Sequence, residues 1–470
     1  MNATQRLLPV LLSTALVAAF GTATASATEG KCANLTDLQC LGKLIFFDED
    51  LSLNRNQACA TCHVPSFGWQ GNDPKINRAG AVYPGSDPTK FGNRKPPSSA
   101  YASPAPPLFP NPEDPLDPTF TGGTFWDGRA TGWELGSPVA EQARGPFLNP
   151  VEQALPHNGC VVYRVCTSGY ADLFTQLWEA ESCQFNWPAD IETQCSVADG
   201  TLNFGGAQQK VDRVYNRVAA SIAAYEDSSE SNAYTSKTDA HHAGDYEFTA
   251  EEAWGRDLFA GRTSELNPDG KDAGCAACHR GAFIGAAIPP LFTDFTYDNL
   301  GVPKNPENPA TLADPTWADP GLGGFLAKVE FFAEFADQNL GKQKVPTLRN
   351  VALKTDKRGH RVCSDEAGLT KAYMHNGYFK SLKQVVHFYN TRDVKPTCDD
   401  DLTAAEAMEQ DCWPAPEVAE NVNTEELGNL GLTDAEEDAL VTFMESMCDG
   451  YTGSADHDDF DRPRKKHKDD

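Results

Sequence analysis

The 470-residue chain is short of positive charge, of long apolar runs and of strand-like alternation. It has 39 Lys and Arg against 67 Asp and Glu, a net charge of −28. A phosphate backbone needs a basic surface, so nucleic acid is excluded as a partner. Beyond Phe20 no segment approaches the ~20 apolar residues of a membrane-spanning helix, so no membrane span is expected. The lack of strand-rich sequence predicts a mainly α fold. Residues 64–156 contain neither His nor Met, so that stretch offers a metal neither side chain.

What is present starts with an address. The segment "MNATQRLLPVLLSTALVAAFGTATASATEG" has Arg6, an apolar run from Leu7 to Phe20 and the small-residue site Ala25-Ser26-Ala27. It reads as a signal peptide over residues 1–27, with an uncleaved anchor as the alternative. A periplasmic or otherwise exported location follows. In an exported chain cysteines form disulfides. There are 14, and four belong to two C-x-x-C-H motifs. The even remainder of ten predicts disulfides. Cys160 with Cys166, and Cys183 with Cys195, are the simplest pairs by proximity.

The motifs are Cys59-x-x-Cys62-His63 and Cys275-x-x-Cys278-His279. Haem c needs two thiols for thioether bonds and an imidazole for iron, and this spacing supplies all three from one loop. The alternative for C-x-x-C alone is zinc or a redox dithiol. The trailing His, its recurrence and the export signal favour haem. Cys59, Cys62, Cys275 and Cys278 are thus expected to bind two covalent haems, with His63 and His279 on iron.

The surroundings repeat as well. "LGKLIFFDEDLSLNRNQACATCH" is echoed by "WGRDLFAGRTSELNPDGKDAGCAACH", and both hold Gly-basic-x-aliphatic-Phe, at Gly42–Phe46 and Gly255–Phe259. This predicts two cytochrome c-like haem domains, at 28–245 and 246–453, divided near the polar stretch 228–246. Capping boxes at Thr249/Glu252 and Thr433/Glu436 start helices in the second. Val211, Val214, Val218 and Ile222 form a helical apolar stripe in the first. Residues 75–118, rich in Pro, Gly, Asn and Ser, are expected to be irregular backbone over the first haem. The charged tail 454–470 lacks core residues and is expected to be disordered.

"LGKLIFFDEDLS", "CATCH", "FWDGRA", "GPFLNPVE", "VPTLRNVAL" and "YMHNGYF" occur in this order. Together they resemble the bacterial di-haem cytochrome c peroxidase and MauG family. The resemblance implies that the N-terminal haem reacts with peroxide while the C-terminal haem relays electrons, with a Trp between them. Carried over, that Trp is Trp126. The pocket residues over the peroxide-binding iron are Gln142 and Glu152, and Pro146 lies close to it. An insertion near "TGWELG" separates Trp126 from Gln142. The chemistry agrees, since peroxide cleavage needs a group that moves a proton between the two oxygens. Glu152 follows Phe147, Leu148 and Pro150, which fit an apolar pocket. The alternative for Glu152 is a first-turn helix acid, and for Trp126 a core filler.

For the far side of the second iron the candidates are Met374, His375, His387 and Tyr389. In "SLKQVVHFYN", Ser381 is an N-cap and Leu382, Val385, Val386 and Tyr389 share one apolar face. His387 lies off that stripe and is expected to face solvent. The resemblance also favours Tyr389, where ordinary family peroxidases have Met and MauG has Tyr. Met374 is the second choice, and a packed core Tyr is the alternative. His375 is expected beside the haem. On the first iron, ordinary peroxidases place a second His where this chain has Ala79. That predicts an open position, with His157 as the residue able to close it. The family also implies calcium, held by an Asn where this chain has Lys95, and a lysine argues against a cation there. The function expected is peroxide reduction with electrons from a small redox protein of cytochrome c or cupredoxin type. The alternatives are MauG-like oxidation of a partner protein and plain electron transfer.

Overall fold

The Gly-basic-x-aliphatic-Phe repeat is a helix-crossing motif. The computed structural model describes residues 32–111, 119–281 and 289–453; the expected signal segment and charged tail lie outside them. The two copies lie on the helices Asp37–Phe46 and Ala250–Phe259. Each helix begins with a capping box, Thr36 with Gln39 and Thr249 with Glu252. Each glycine then lets a second helix approach closely. A Cβ on Gly42 would stand 1.9 Å from the carbonyl oxygen of Ser221, and one on Gly255 would stand 1.9 Å from that of Ala439. One turn on, Phe46 meets Tyr225 edge-on at 5.4 Å, and Phe259 meets Phe443 at 5.3 Å. The partner helices are Gln208–Glu226 and Asp434–Glu445.

Two apolar cores grow around these crossings. The first buries Leu41, Phe46, Phe147 and the stripe Val211, Val214, Val218 and Ile222. The second buries Leu258, Phe259, Phe379, Phe388, Leu440 and Phe443. Each such side chain contributes about 1.5–3 kcal/mol relative to an exposed one. The fold is mainly helical. Its strands, among the described residues, form three two-stranded pairs of two or three residues per strand. No helix among those residues is long and apolar enough to cross a membrane.

The stretch 228–246, expected to be a divider, contains the helix Lys237–Ala243. It docks on the second core: Thr238 donates to the carbonyl of Ser446 at 3.1 Å, and Asp239 pairs with the buried Arg349 at 2.7 Å. The disulfides also differ from the proximity guess. Cys160 pairs with Cys195 and Cys166 with Cys183. Cys160 and Cys166 sit on one helix, Asn158–Thr167, where six residues separate them by more than a turn and point them apart. The other pairs are Cys32–Cys40, Cys363–Cys448 and Cys398–Cys412. Cys363 ends the hairpin Leu353–Thr355/Arg361–Cys363, so its bond pins the long link before "YMHNG" to the C-terminal segment.

Candidate active site

Each C-x-x-C-H motif folds as one helical turn, Cys59–Cys62 and Cys275–Cys278, with the His directly after it. His63 Nδ1 meets the carbonyl of Trp69 at 3.2 Å, and His279 Nδ1 meets that of Phe292 at 2.8 Å. An Nδ1–H engaged in this way leaves Nε2 free to ligate a metal. Burial holds both imidazoles toward the neutral, ligating form, His63 down to about 4. The four motif thiols are the unpaired cysteines among the described residues.

Each motif opens into its own cavity. The first, ≈ 310 Å³, is lined by Cys59, Cys62 and His63 together with residues 82–84 and 92–102, the irregular backbone of the Pro/Gly-rich stretch. The second, ≈ 170 Å³, is lined by Cys275, Cys278 and His279. Both walls are largely apolar. Two thiols, an oriented imidazole and an apolar chamber form a donor set that fits haem c at both places.

Glu152, Gln142, Pro146 and Trp126 all line the first cavity. Gln142 and Pro146, four residues apart on the helix Pro138–Leu148, share a face. The "TGWELG" insertion folds back onto that helix, where Glu141 accepts from the backbone N–H groups of Gly132 and Glu134, each at 2.7 Å. Glu152 is not a first-turn acid: the helix ends at Leu148 and Glu152 lies in the turn beyond. Burial pushes its carboxyl up, while Arg129 and the Asn149 side chain pull it back. A carboxyl so balanced can take up and release a proton. Sequence reasoning passed over Arg129, whose guanidinium lies 3.7 Å from the Phe125 ring centre and bonds Asp127. Its signal was its place in "FWDGRA". It also passed over Glu226, a buried acid lining the same cavity that burial pushes up to about 8. Glu226 stands four residues beyond Ile222, an acid on the apolar stripe, and that pattern could have found it.

Ala79 is exposed and lines neither cavity; its carbonyl accepts from Lys380 Nζ at 2.6 Å. His157 lies elsewhere as well. It caps the helix Asn158–Thr167, accepting from the N–H of Gly159 at 2.9 Å, with its ring 5.6 Å from that of Phe204.

On the second cavity, Leu382, Val385, Val386 and Tyr389 all face inward, as the stripe on the helix Leu382–Thr391 requires. Burial raises the Tyr389 phenol, and the nearby Cys275 and Cys278 add to the rise. His375 lines this cavity but is committed, Nε2 to Glu417 Oε2 at 2.9 Å. His387 does not face solvent freely. It is half-buried outside both cavities, between Glu437 at 3.0 Å and Lys395 at 2.8 Å. The two cavities share a wall that includes Trp126, Lys344, Pro346, Tyr373 and Met374. Met374 therefore reaches both chambers. Trp126 is buried there and donates Nε1–H to the carbonyl of Lys95 at 2.8 Å.

Comparison with known proteins bears on this two-chamber arrangement. A model of the di-haem cytochrome c peroxidase family matches residues 37–247. The methylamine utilization protein MauG of Paracoccus denitrificans is 31% identical over 422 residues, covering 88% of each chain. The chain belongs to the di-haem cytochrome c peroxidase and MauG family. Its members are oxidoreductases of the peroxidase type, and the family implies two haem c groups. The cytochrome-c peroxidase IdrP1 of Denitromonas iodatirespirans is 25% identical, with 90% of this chain and 84% of IdrP1 covered. Among solved structures, the diheme peroxidase BthA from Burkholderia thailandensis superposes with a TM-score of 0.63 at 26% identity, covering 88% of this chain and 86% of BthA. The calcium that the resemblance also implied does not fit. Lys95, in the expected place of the Asn ligand, is buried and its amine is engaged with Gln70 and Pro96.

Proposed function

We propose that the protein is an exported di-haem c peroxidase. Hydrogen peroxide reacts in the first chamber, and electrons reach it from a haem in the second. The observation that carries the reading is the pairing of Glu152 and Gln142 on the first cavity with the placement of Ala79 and His157 outside it. Such a chamber offers peroxide an acid/base group and brings neither of these residues as a competing cap.

Bound haem supplies the redox chemistry that cleaves the O–O bond. Around it the chain does the rest. His63 and His279 would hold iron, and the thiols of Cys59, Cys62, Cys275 and Cys278 would hold the porphyrins. With haem bound, Glu152 would take a proton from one peroxide oxygen and give it to the other. Arg129 keeps the carboxyl able to ionise between turnovers, Gln142 orients the peroxide by hydrogen bonding, and Pro146 restricts the space beside it. Each peroxide consumes two electrons and two protons and leaves as two waters. Trp126, which lines both chambers, would lie on the path of the electrons between them. A small soluble donor of cytochrome c or cupredoxin type supplies them, steered to an acidic surface of net charge −28.

A second reading, oxidation of a partner protein in the manner of MauG, is favoured by one observation. Tyr389 places a phenol in the second cavity beside Cys275 and Cys278. A Tyr ligand lowers the potential relative to Met. The test is to mix peroxide with the oxidised holoprotein, with and without prior one-electron reduction, and follow the haem spectrum. Reaction of the fully oxidised form supports an open first chamber. Two low-spin haems that stay inert until reduced would overturn it. Turnover with reduced cytochrome c then separates the peroxidase reading from the MauG-like one.

A further inference from the structure

Lys95 joins three segments at the wall between the cavities. Its backbone N–H donates to the carbonyl of His375 at 2.7 Å. Its carbonyl accepts the Trp126 indole N–H at 2.8 Å. Its Nζ donates to Gln70 Oε1 at 2.9 Å and to the carbonyl of Pro96 at 3.1 Å, and stands 5.9 Å from the centre of the Trp126 ring. The residue is 6% exposed.

We infer that the Lys95 side chain replaces a divalent cation at this junction: its amine ties Gln70 to the Lys95-Pro96 segment beside the Trp126 ring, and the protein neither binds nor needs calcium there. Calcium gathers six to eight oxygens, carboxylates among them. A lysine head brings three donors and no acceptor, so it fills the space and engages the oxygens of Gln70 and Pro96 that it reaches. As ammonium it also repels a divalent ion; as a neutral amine it still occupies the centre of the site. The charged surroundings point the same way. Lys380 acts on Lys95, and Lys95 in turn acts on the buried Lys371 and on His63. A second wall lysine, Lys344, lies toward the carbonyls of Gly122 and Phe295 at 3.3 and 3.4 Å. The cluster of His, Cys, Asp and Glu side chains able to hold a metal among the described residues, Cys278, Asp298 and Glu426, contains none of these groups.

This inference does not rest on the peroxidase reading, because it is read from metal content and melting. The holoprotein as purified is assayed for bound calcium, then stripped with EGTA and melted with and without millimolar calcium. Wild type is expected to carry no stoichiometric calcium and to melt identically in both. One calcium per chain, or a calcium-dependent rise in Tm, overturns the inference. Lys95→Asn is expected to melt several degrees lower in EGTA and to recover in calcium. A Lys95→Asn protein that melts like wild type in EGTA overturns the role given to the amine. Lys95→Met is expected to lose the same stability with no recovery in calcium. If either variant fails to fold, the wild-type comparison still decides the calcium claim.

Discussion

Gly85 runs beneath the turn that carries Glu152: a Cβ on Gly85 would stand 2.8 Å from the Glu152 carbonyl oxygen and 2.7 Å from backbone atoms of Val151. The neighbouring Ser86 N–H donates to the same Glu152 carbonyl at 2.6 Å. The carboxyl thus owes its position to a glycine almost seventy residues earlier. Gly85→Ala must push backbone against backbone, at a cost of about 1–3 kcal/mol, the usual scale of overpacking. It is expected to lower Tm and slow the peroxide reaction together. Gly169→Ala is the control, because its Cβ would meet nothing within 4 Å and the residue lines neither cavity. Equal losses in the two variants would mean that the turn does not set the rate.

If the motif thiols form thioether bonds, the two haems are expected to survive denaturation and acid extraction. Intact mass should show two haems on the mature chain. Replacing Cys275 and Cys278 with Ser should remove one haem and lower the stability of the second core, which packs Cys275 at its edge. A wild-type mass with one haem or none would reject the pair of motifs as haem sites.

Much of this was legible because it is local. The caps at Thr249, Ser381 and Thr433 and the stripe from Val211 to Ile222 need only a few neighbouring residues, and all form as expected. The repeat was legible too, although its cause was not: Gly42 and Gly255 are required by the carbonyls of Ser221 and Ala439, more than 170 residues away. Contacts at such range leave no local pattern. The pairing of Cys160 with Cys195 depends on how three segments pack, and proximity in sequence misjudged it. His387 was read correctly as off the apolar face, but its partners Glu437 and Lys395 come from other parts of the fold. The candidate site divides in the same way. Its haem motifs are contiguous, whereas the wall joining Trp126 to Met374 exists in the folded chain alone.

Tyr389→Phe keeps the ring and its packing but removes the oxygen. If the phenolate holds the second iron, a low-spin haem signal should become high-spin and its potential should rise, while Tm changes little. Met374→Leu is the comparison, expected to leave that haem's spin state as it is. An unchanged spectrum in Tyr389→Phe, or a spin change in Met374→Leu, would move the ligand away from Tyr389.

The last prediction concerns Glu152 and its pH dependence. In the proposed mechanism the carboxyl must be ionised to take the first proton from peroxide. Burial raises its pKa above the ordinary value, with Arg129 and Asn149 opposing the rise. Raised pKa means that the working, ionised form is lost at a higher pH than for an exposed glutamate. The second-order rate with peroxide should therefore fall as pH drops through that raised value and level off above it. Glu152→Gln, which keeps the shape without the proton, should slow the reaction by roughly a hundredfold or more and flatten this acidic limb. Arg129→Met removes the charge that favours ionisation, so the limb should shift to higher pH with the plateau largely kept. Stopped-flow rates of the three proteins across the acid range measure all of this. A Glu152→Gln enzyme that keeps both the plateau rate and the acidic limb would assign the proton transfer to another group lining the cavity, of which Glu226 is the first to examine.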